Sequence, residues 1–426
     1  MSQLIIRGGR VIDPANDIDR ITDLYVANGI ISGIGQAPDG FVAEQRIDAT
    51  NKIVCPGIID ISARLREPGQ EFKATIATET VAATSAGITT LCCPPDTDPV
   101  IDETAVVDLI HQLAEQAGHA KVVTLGAMTA RLEGKYLSEM AALKTAGCVG
   151  IGNARRPVLN SRVLRRAFEY AATQNMRVFI ESDDPALSNE GCAHEGCVAT
   201  RLGLPGIPAA AETAAIARDL ELIADTGVSV HFCRLSSARS VELIAQAQQR
   251  GLPVTADVSA HQLFLTEMDI STFNTYCHVL PPLRTQRDQD ALRQGLADGI
   301  ISIICSDHQP HEADAKLSPF PTTDAGISAL ETLLPLSLRL VEEGTLTLAE
   351  MITKLCLQPA RTLGLNTGTL TIGSPADICI IDPELDWHFD EQEMLSQGKN
   401  SPFIGWHFRG RAIHTLVDGE RVFCLG

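Results

Sequence analysis

Charged and hydrogen-bonding side chains follow several apolar runs of the sequence at short, regular spacing. Asp60, Ser62 and Arg64 alternate at the end of one run, and Asp307 and His311 follow another. Aspartate and histidine serve as metal ligands and proton-transfer groups, whereas a hydroxyl and a protonated guanidinium are poor ligands for a metal such as zinc. The segment with Asp307 and His311 therefore has residue types of a catalytic site, whereas Ser62 and Arg64 are unsuitable as metal ligands.

These polar groups must be positioned by the elements that precede them. Between residues 55 and 365, apolar runs of strand length alternate with amphipathic helical stretches, which is typical of β-α units around a parallel sheet. The runs lie at 57–61, 88–93, 122–127, 148–152, 177–181, 228–233, 253–258 and 300–305. Right-handed crossovers close eight such strands into a barrel, so the predicted fold class is α/β with a (β/α)8 TIM barrel.

Both ends of the chain have a different pattern. Residues 1–54 and 366–426 contain short β-rich runs, one of them at 368–370, separated by turns such as Asn28-Gly29 and Asp418-Gly419. We predict that the two ends join in a small β-sandwich domain and that residues 55–365 form the barrel domain.

Composition and charge limit the partners. The 426 residues carry a formal net charge of −19 and are 45% hydrophobic, which provides ample core and repels nucleic acid and anionic membranes. No apolar run reaches the roughly 18 residues of a membrane span, and the first residues lack a signal-peptide pattern. We expect a cytoplasmic protein whose partner is a small molecule or another protein.

The twelve cysteines are scattered, and many lie inside apolar runs. This distribution favours buried free thiols over a disulfide framework. Cys192, His194 and Cys197 form a local group of ligand-type residues, but no second pair stands at zinc-finger spacing. Whether this group binds a metal stays open at this point.

In a (β/α)8 barrel, functional groups project from the carboxyl ends of the strands. Those ends carry Ser62, Arg64, Asp96, Asn153, Glu181, Arg234, His261, Asp307, His308 and His311. Longer motifs accompany them: Pro56-Gly57-Ile58-Ile59-Asp60, Leu65-Arg66-Glu67-Pro68-Gly69, Pro281-Pro282-Leu283-Arg284 and Ser306-Asp307-His308-Gln309-Pro310-His311. With these motifs the chain resembles the amidohydrolase superfamily, and within it the bacterial dihydroorotases, over essentially its whole length.

The resemblance implies a binuclear zinc site with two histidines on strand 1, a bridging acid or carbamylated lysine on strand 4, histidines on strands 5 and 6, and an aspartate on strand 8. At these positions the sequence has Ser62, Arg64, Asn153 or its neighbour, Glu181, Arg234 and Asp307. One retained aspartate cannot hold zinc and lower the pKa of a bound water. We therefore expect no cofactor, no metal and no catalytic residue, with Asp307 as a vestige.

Without zinc, Asp307 would be a buried carboxylate that lacks a counter-charge, which is costly. We predict that the guanidinium groups of Arg64 and Arg234 fill the space and pair with Asp307 and Glu181 in an ion network. Such a network adds little stability relative to apolar packing, but removing one partner would be strongly destabilising.

The resemblance also implies a substrate-type pocket, formed by Arg66, Asp96, Leu280 and His311. Arg66 and His311 match the residues of the family, whereas Asp96 and Leu280 stand where the family has asparagines. An added charge and a lost amide weaken recognition of an anionic pyrimidine. For Arg66, a salt bridge with Glu67 and ligand binding both remain open.

Other histidines and cysteines have competing interpretations. A rebuilt metal site would use Glu181, Cys233, Cys305, Asp307 and His308, and a metal pair would use His308 and His311. Strand alternation argues against the rebuilt site, because Cys233 and Arg234 face opposite ways. His231 lies inside an apolar strand and is interpreted as a core histidine.

The resemblance predicts a catalytically inactive dihydroorotase homologue, a homo-oligomer that assembles with aspartate carbamoyltransferase in pyrimidine biosynthesis. One alternative is an active cyclic amidohydrolase with a rearranged or mononuclear zinc site. Another is a non-hydrolytic regulatory module that binds a pyrimidine-like anion. Metal content with turnover tests the first alternative, and stabilisation by ligands tests the second.

Overall fold

The computed structural model describes residues 3–426. Its strands are β1 (Gln3–Asp13), β2 (Ile18–Ala27), β3 (Ile30–Ile34), β4 (Gln45–Asp48), β5 (Ile53–Pro56), β6 (Ile58–Asp60), β7 (Ile88–Cys93), β8 (Lys121–Ala127), β9 (Gly150–Gly152), β10 (Val178–Glu181), β11 (Ala193–His194), β12 (Gly206–Ile207), β13 (Val230–Cys233), β14 (Val254–Ser259), β15 (Ile303–Cys305), β16 (Ile378–His388), β17 (His407–Val417) and β18 (Glu420–Cys424). Its helices are α1 (Ile76–Ser85), α2 (Thr104–Ala117), α3 (Met140–Thr145), α4 (Ser161–Thr173), α5 (Pro185–Ser188), α6 (Cys197–Leu202), α7 (Ala209–Thr226), α8 (Ala238–Gln249), α9 (Gln286–Ala297), α10 (Leu330–Glu342), α11 (Leu348–Ile352) and α12 (Gln358–Leu363).

Eight parallel strands form a nearly closed barrel. Their order follows the chain: β6, β7, β8, β9, β10, β13, β14 and β15. The first and last strands meet just beyond their regular parts, where Ala63 pairs with His308 and the amide of Arg64 donates to the carbonyl oxygen of His308 at 2.9 Å. Each predicted apolar run coincides with one of these strands, and the predicted (β/α)8 fold is confirmed.

The helices between the barrel strands begin and end at residues typical of such boundaries. Thr75 caps α1 through a capping box, and α2 ends at Gly118, whose φ of 68° is readily adopted by glycine. On α2, Val107, Ile110 and Ala114 recur at three and four residues and are buried. This spacing places one apolar face of the helix against the barrel.

The two ends of the chain form one eight-stranded sheet. Its order is β18, β17, β16, β5, β1, β2 and β3, with β4 paired to β1. The N-terminal and C-terminal parts join where β5 and β16 run antiparallel, with Cys55 opposite Cys379. The chain ends therefore form an extra domain beside the barrel, built as one continuous hydrogen-bonded sheet.

Strand β16 shows how the sheet domain attaches to the barrel. Ile378 and Ile380 pack in the apolar core of the sheet domain, whereas Cys379 and Ile381 belong to the core of the barrel. Because both faces are buried, this part of the strand has a continuous apolar sequence rather than an alternating one.

Residues 368–370 do not form the predicted strand. The amide of Leu370 donates to Asp13 Oδ2 at 2.8 Å, and the hydroxyl of Thr369 donates to the same oxygen at 3.1 Å. A side-chain carboxylate therefore takes the place of a neighbouring strand.

The cysteines are free, as predicted, and nine of them are buried. The longest helix in residues 3–426 is α7, with 18 residues. No helix in that range has both the length and the apolar character needed to cross a membrane.

Candidate functional site at the barrel mouth

The carboxyl ends of the barrel strands bring the predicted charged residues to one place. Arg64 follows β6, Glu181 ends β10, Arg234 follows β13 and Asp307 follows β15. Arg234 and Asp307 have positive φ angles, 55° and 49°. A left-handed conformation of this kind costs a residue with a side chain about 1–3 kcal/mol, so the surrounding structure must hold both residues in place.

Arg64 and Arg234 both approach the carboxylates of Glu181 and Asp307. Arg64 lies 3.5 Å from Glu181 Oε1 and 3.5 Å from Asp307 Oδ1. Arg234 pairs with Glu181 through Nη2, and its Nε lies 3.5 Å from Asp307 Oδ1. The structure thus places all four residues of the predicted ion network within ion-pair distance of an opposite charge.

Two further residues, which the prediction left outside the network, belong to it. Arg155 lies 3.1 Å from Glu181 Oε2 and 3.2 Å from Asp307 Oδ2. Asp96, predicted as a pocket residue, accepts a hydrogen bond from Arg64 Nε at 2.8 Å. Three arginines therefore face three carboxylates. We define the central ion network as Arg64, Arg155, Arg234, Asp96, Glu181 and Asp307.

The loop after β9 contributes Arg155 to the central ion network, while Asn153 in the same loop takes another role. Asn153 Oδ1 accepts from the hydroxyl of Thr129 at 2.7 Å, and its Nδ2 donates to the carbonyl oxygen of Leu132 at 3.2 Å. Asn153 therefore holds a neighbouring loop. The sequence did contain a signal for Arg155. Once Asp96 is counted with Glu181 and Asp307, the strand ends carry three acids, and the two predicted arginines leave one of them without a counter-charge.

The central ion network is nearly enclosed. The exposed fraction of the side chain is 7% for Arg64, 4% for Arg234 and 1% for Asp307. Burial opposes ionisation of Glu181, but the charges of the arginines outweigh it and lower its pKa to about 2. Nearby carboxylates likewise outweigh burial for Arg64 and Arg234 and raise the pKa of both. These three groups therefore stay charged near neutral pH.

The side chains of the network do not fit a zinc ion. A guanidinium keeps its proton and offers no lone pair, and each carboxylate already contacts at least one arginine. A divalent cation would also be repelled by the three positive charges. Ser62 does not help, since its hydroxyl accepts from Arg234 Nη1 at 2.7 Å. These residues therefore do not supply the ligand set of the zinc site that the family resemblance implies.

The two histidines of the loop after β15, His308 and His311, have separate partners. His308 Nε2 lies 2.8 Å from Glu79, and its Nδ1 accepts from the amide of Ala329 at 3.0 Å. His311 Nε2 lies 3.1 Å from Arg66 Nη2. The two imidazole rings are therefore held by different hydrogen bonds and do not share a ligand position.

One other group has the composition of a metal site. Within residues 3–426, His231, Cys233 and Asp257 form the one group of three candidate ligands whose atoms lie within 4.8 Å of one another. His231 Nε2 lies 2.9 Å from Asp257 Oδ2 and its Nδ1 lies 2.8 Å from the hydroxyl of Thr255. Hydrogen bonds thus satisfy the buried imidazole of His231 without an ion.

The metal sites considered from the sequence do not assemble in the part of the chain that the structure describes. Of the rebuilt site, only Cys233 belongs to the group of close ligand atoms. In the cysteine-rich segment, Cys192 is buried, His194 Nδ1 lies 3.1 Å from Arg284, and Cys197 is exposed. The ligand atoms of these three residues are not among the close ligand atoms described above.

The four residues of the predicted substrate-type pocket do not line one common space. Arg66 and Asp96 border a crevice of about 10 Å³, whereas Leu280 borders a cleft of about 200 Å³ that His311 does not line. Arg66 Nε donates to the carbonyl oxygen of Pro310 at 3.0 Å. The carboxylate of Glu67, the other candidate partner of Arg66, instead accepts from the first amide of α1 at 2.8 Å.

His261, the remaining strand-end histidine, is buried at the mouth, and its Nδ1 has no hydrogen-bond partner among the described residues. Burial lowers its pKa to about 4, so its imidazole is neutral at pH 7. It adds no positive charge to the central ion network.

Comparisons with known sequences agree with this architecture. A family model described as dihydro-orotase-like matches residues 51–240. A dihydroorotase-like protein of Pseudomonas putida is 48% identical over 415 residues, which cover 97% of this chain and 98% of the relative. A dihydroorotase of Syntrophotalea carbinolica is 43% identical over 423 residues, which cover 99% of each chain.

A solved structure has the same architecture over the whole chain. The L-hydantoinase (dihydropyrimidinase) from Arthrobacter aurescens superposes with a TM-score of 0.90 at 25% identity and covers 100% of this chain and 97% of its own. The two-part arrangement of barrel and sheet is therefore shared with this hydantoinase.

Proposed function

Since this chain belongs to the dihydroorotase-like family of amidohydrolases, we propose that it is a cytoplasmic, catalytically inactive member that holds no zinc. The observation that carries the proposal is the central ion network. A catalytic zinc needs three protein ligands and an open position for water. At this barrel mouth, guanidinium groups pair with the carboxylates that would be the ligands.

Asp307 has no free position from which to accept a proton. Its Oδ1 lies 3.5 Å from both Arg64 and Arg234, and its Oδ2 lies 3.2 Å from Arg155. A general base must have an oxygen within hydrogen-bond reach of the proton that it takes. Both oxygens of this carboxylate face cations, which favours a structural role.

The test combines metal analysis with turnover. The purified protein, with and without added zinc, is assayed for ring opening of dihydroorotate and for ring closure of carbamoyl aspartate, and bound metal is measured by mass spectrometry. The dihydroorotase of Syntrophotalea carbinolica serves as the active control. We expect no turnover above the protein-free blank and far less than one zinc per chain; a stoichiometric zinc together with turnover contradicts the proposal.

We propose further that the chain is an assembly subunit, itself a homo-oligomer, for aspartate carbamoyltransferase. The family resemblance supports this partner. A barrel without activity can be retained because its surface binds another protein. A bound subunit stabilises its partner by mass action. Size-exclusion chromatography with light scattering, using both purified proteins, should show one complex. Thermal unfolding should show a higher melting temperature for the transferase in that complex than for the transferase alone. Two separately eluting proteins at micromolar concentration contradict the assembly role.

One observation favours a second candidate, a mononuclear hydrolase. His231, Cys233 and Asp257 offer nitrogen, sulfur and oxygen ligands at close range, and Cys233 borders the cleft of about 200 Å³. If this candidate is correct, the zinc-loaded protein hydrolyses a cyclic amide and Cys233→Ser abolishes both zinc binding and turnover. Cys148→Ser, at a buried cysteine outside this ligand group, is the matched control.

A third candidate, a regulatory module for a pyrimidine-like anion, is favoured by the positive charges of Arg66 and Lys73 next to His311. Thermal shifts with orotate, dihydroorotate and carbamoyl aspartate test it. A ligand at 100 times its dissociation constant stabilises a protein by roughly 2.7 kcal/mol, which is readily measured. An Arg66→Met variant should lose any such shift.

A further inference from the structure

Two loops at the barrel mouth expose large apolar side chains. The loop after β14 carries Met268, Phe273 and Tyr276, and the loop after β15 carries Leu317. Their exposed fractions are 58%, 48%, 40% and 78%, respectively. A group of apolar side chains on one surface is typical of a contact site for another molecule.

The two loops lie side by side. The hydroxyl of Thr275 donates to the carbonyl oxygen of Lys316 at 2.9 Å, which places Leu317 close to Tyr276. Farther along, the ring of His278 packs on Phe320 with the ring centroids 4.9 Å apart. The apolar side chains therefore belong to one surface that spans both loops.

The exposed charges on this surface are all negative. Asp269 and Asp314 are exposed and Glu267 is partly exposed, whereas the neighbouring Asp324 and Glu312 pair with Lys73. Residues 264–282 and 309–326 contain no arginine and a single lysine, which is buried with 5% exposure. We call this surface the acidic-apolar face, defined by Met268, Phe273, Tyr276 and Leu317 with the acids Glu267, Asp269 and Asp314.

The backbone of the acidic-apolar face is held in place by internal hydrogen bonds. Asp269 completes a capping box with Thr266, and Asn274 Oδ1 accepts from the amide of Tyr276 at 3.1 Å. The ammonium of Lys316 donates to the carbonyl oxygen of Asp324 at 2.5 Å. A loop that is already ordered loses less entropy when it binds a partner.

The negative charge of the acidic-apolar face determines which kind of partner protein can bind to it. A second copy of this chain in a symmetric contact would bring like charges together, which is unfavourable. A partner with Lys or Arg around an apolar centre would instead match both the acids and the exposed side chains. Complementary potentials of this kind also speed association.

We propose that the acidic-apolar face is the docking surface for a partner protein whose contacting surface is basic and apolar. The inference rests on the proposed function, in which that partner is aspartate carbamoyltransferase. It adds the side of the barrel on which the partner binds, namely the loops after β14 and β15.

The test measures the Kd between the full-length chain and purified aspartate carbamoyltransferase from the same organism. The double variant Phe273→Ser/Leu317→Ser should bind about 30-fold more weakly or worse, as expected for central apolar contacts. Asp314→Lys should also weaken binding and should reduce its dependence on salt. The matched control is Ile21→Ser/Ile372→Ser on the sheet domain, where both side chains are exposed, at 77% and 62%; it should leave the Kd unchanged.

Each result has a distinct meaning. If the wild-type chain forms no complex, the proposed assembly role fails and this docking surface fails with it. If the wild type binds but Phe273→Ser/Leu317→Ser and Asp314→Lys bind equally well, the assembly role stands and the docking surface is wrong. Melting curves of all variants establish that a weaker Kd does not come from unfolding. If the double variant does not fold, Asp314→Lys alone decides.

Discussion

Two groups of charged residues lie next to each other at the barrel mouth, and burial affects them differently. In the central ion network three arginines face three carboxylates, and the pKa of Glu181 falls to about 2. Beside it lies a basic cluster, defined as Arg66, Lys73 and Lys316 with His278 and His311. There burial lowers the pKa of Arg66 to about 10 and that of Lys316 to about 8.

The difference lies in the counter-charges. The acids of the basic cluster, Asp324 and Glu312, have side chains that are 51% and 34% exposed, whereas Glu181 and Asp307 are 12% and 1% exposed. A buried charge is tolerated where its counter-charge is equally buried and close. Arg155, at the edge of the network with 23% exposure, is intermediate, because burial lowers its pKa in spite of Asp307.

The largest expected effect comes from removing one anion of the central ion network. Glu181→Ala leaves Arg234 and Arg64 with uncompensated charge and should reduce the free energy of unfolding by about 3–5 kcal/mol. The double variant Glu181→Met/Arg234→Met should lose less than either single variant, because it removes a cation together with an anion. Urea denaturation measures both.

Glu190→Ala, an exposed acid that borders the same cleft, is the control for this change and should alter stability little. Equal losses for Glu181→Ala and Glu190→Ala would falsify the structural role of the network.

Acid should weaken the central ion network in a defined window. The folded-state pKa of Glu181, about 2, lies below its ordinary value of 4.5. The stability that its charge contributes is therefore complete above pH 4.5 and is lost as the pH falls towards 2, by about 3 kcal/mol in all.

The difference in unfolding free energy between wild type and Glu181→Gln, measured from pH 6 to pH 2.5, should stay constant and then shrink below pH 4.5. Asp60 must be considered in the same titration, because burial raises its pKa to about 7 and its protonation favours the folded state as the pH falls below 7. Taking the difference between the two proteins cancels its contribution. A difference that does not change with pH contradicts the low pKa of Glu181.

The basic cluster should respond to alkali instead. The pKa of Lys316 in the folded protein, about 8, is below its ordinary 10.5, so the unfolded chain binds more protons between these values. Stability therefore rises with pH in that window. Relative to Lys316→Met, the wild type should gain about 2 kcal/mol between pH 7 and pH 10. Lys135→Met, at an exposed lysine, is the control and should show no such trend. If the free energy of unfolding of the wild type falls relative to that of Lys316→Met as the pH rises, the low pKa of Lys316 is contradicted.

The smallest effect is expected at the surface. Arg239 and Glu242 on α8 form an ion pair at 2.7 Å, with side chains 55% and 54% exposed. Solvent screens such a pair, so Arg239→Ala should change the free energy of unfolding by no more than about 0.5 kcal/mol. A loss comparable to that of Glu181→Ala would mean that burial does not distinguish the two sites.

Local sequence was sufficient to predict the barrel and much of the central ion network. The alternation of apolar runs and amphipathic stretches depends on neighbouring residues, and strand ends of a (β/α)8 barrel meet at one side. Hence the sequence pattern alone predicts that Arg64, Glu181, Arg234 and Asp307 lie close together. Residues 368–370 were predicted wrongly because Asp13, more than 350 positions away, supplies the hydrogen bonds that a neighbouring strand would have made.

The amino-acid sequence by itself determined which side chains end the barrel strands, among them Arg64, Glu181, Arg234 and Asp307. Only the tertiary structure decided that Arg155 rather than Asn153 reaches the centre, that Asp96 pairs with Arg64, and that the four predicted pocket residues do not line one common space. The physical reason is that strand positions follow from local periodicity. The direction of a side chain beyond a strand end depends instead on the charges and carbonyl groups that distant segments bring near it.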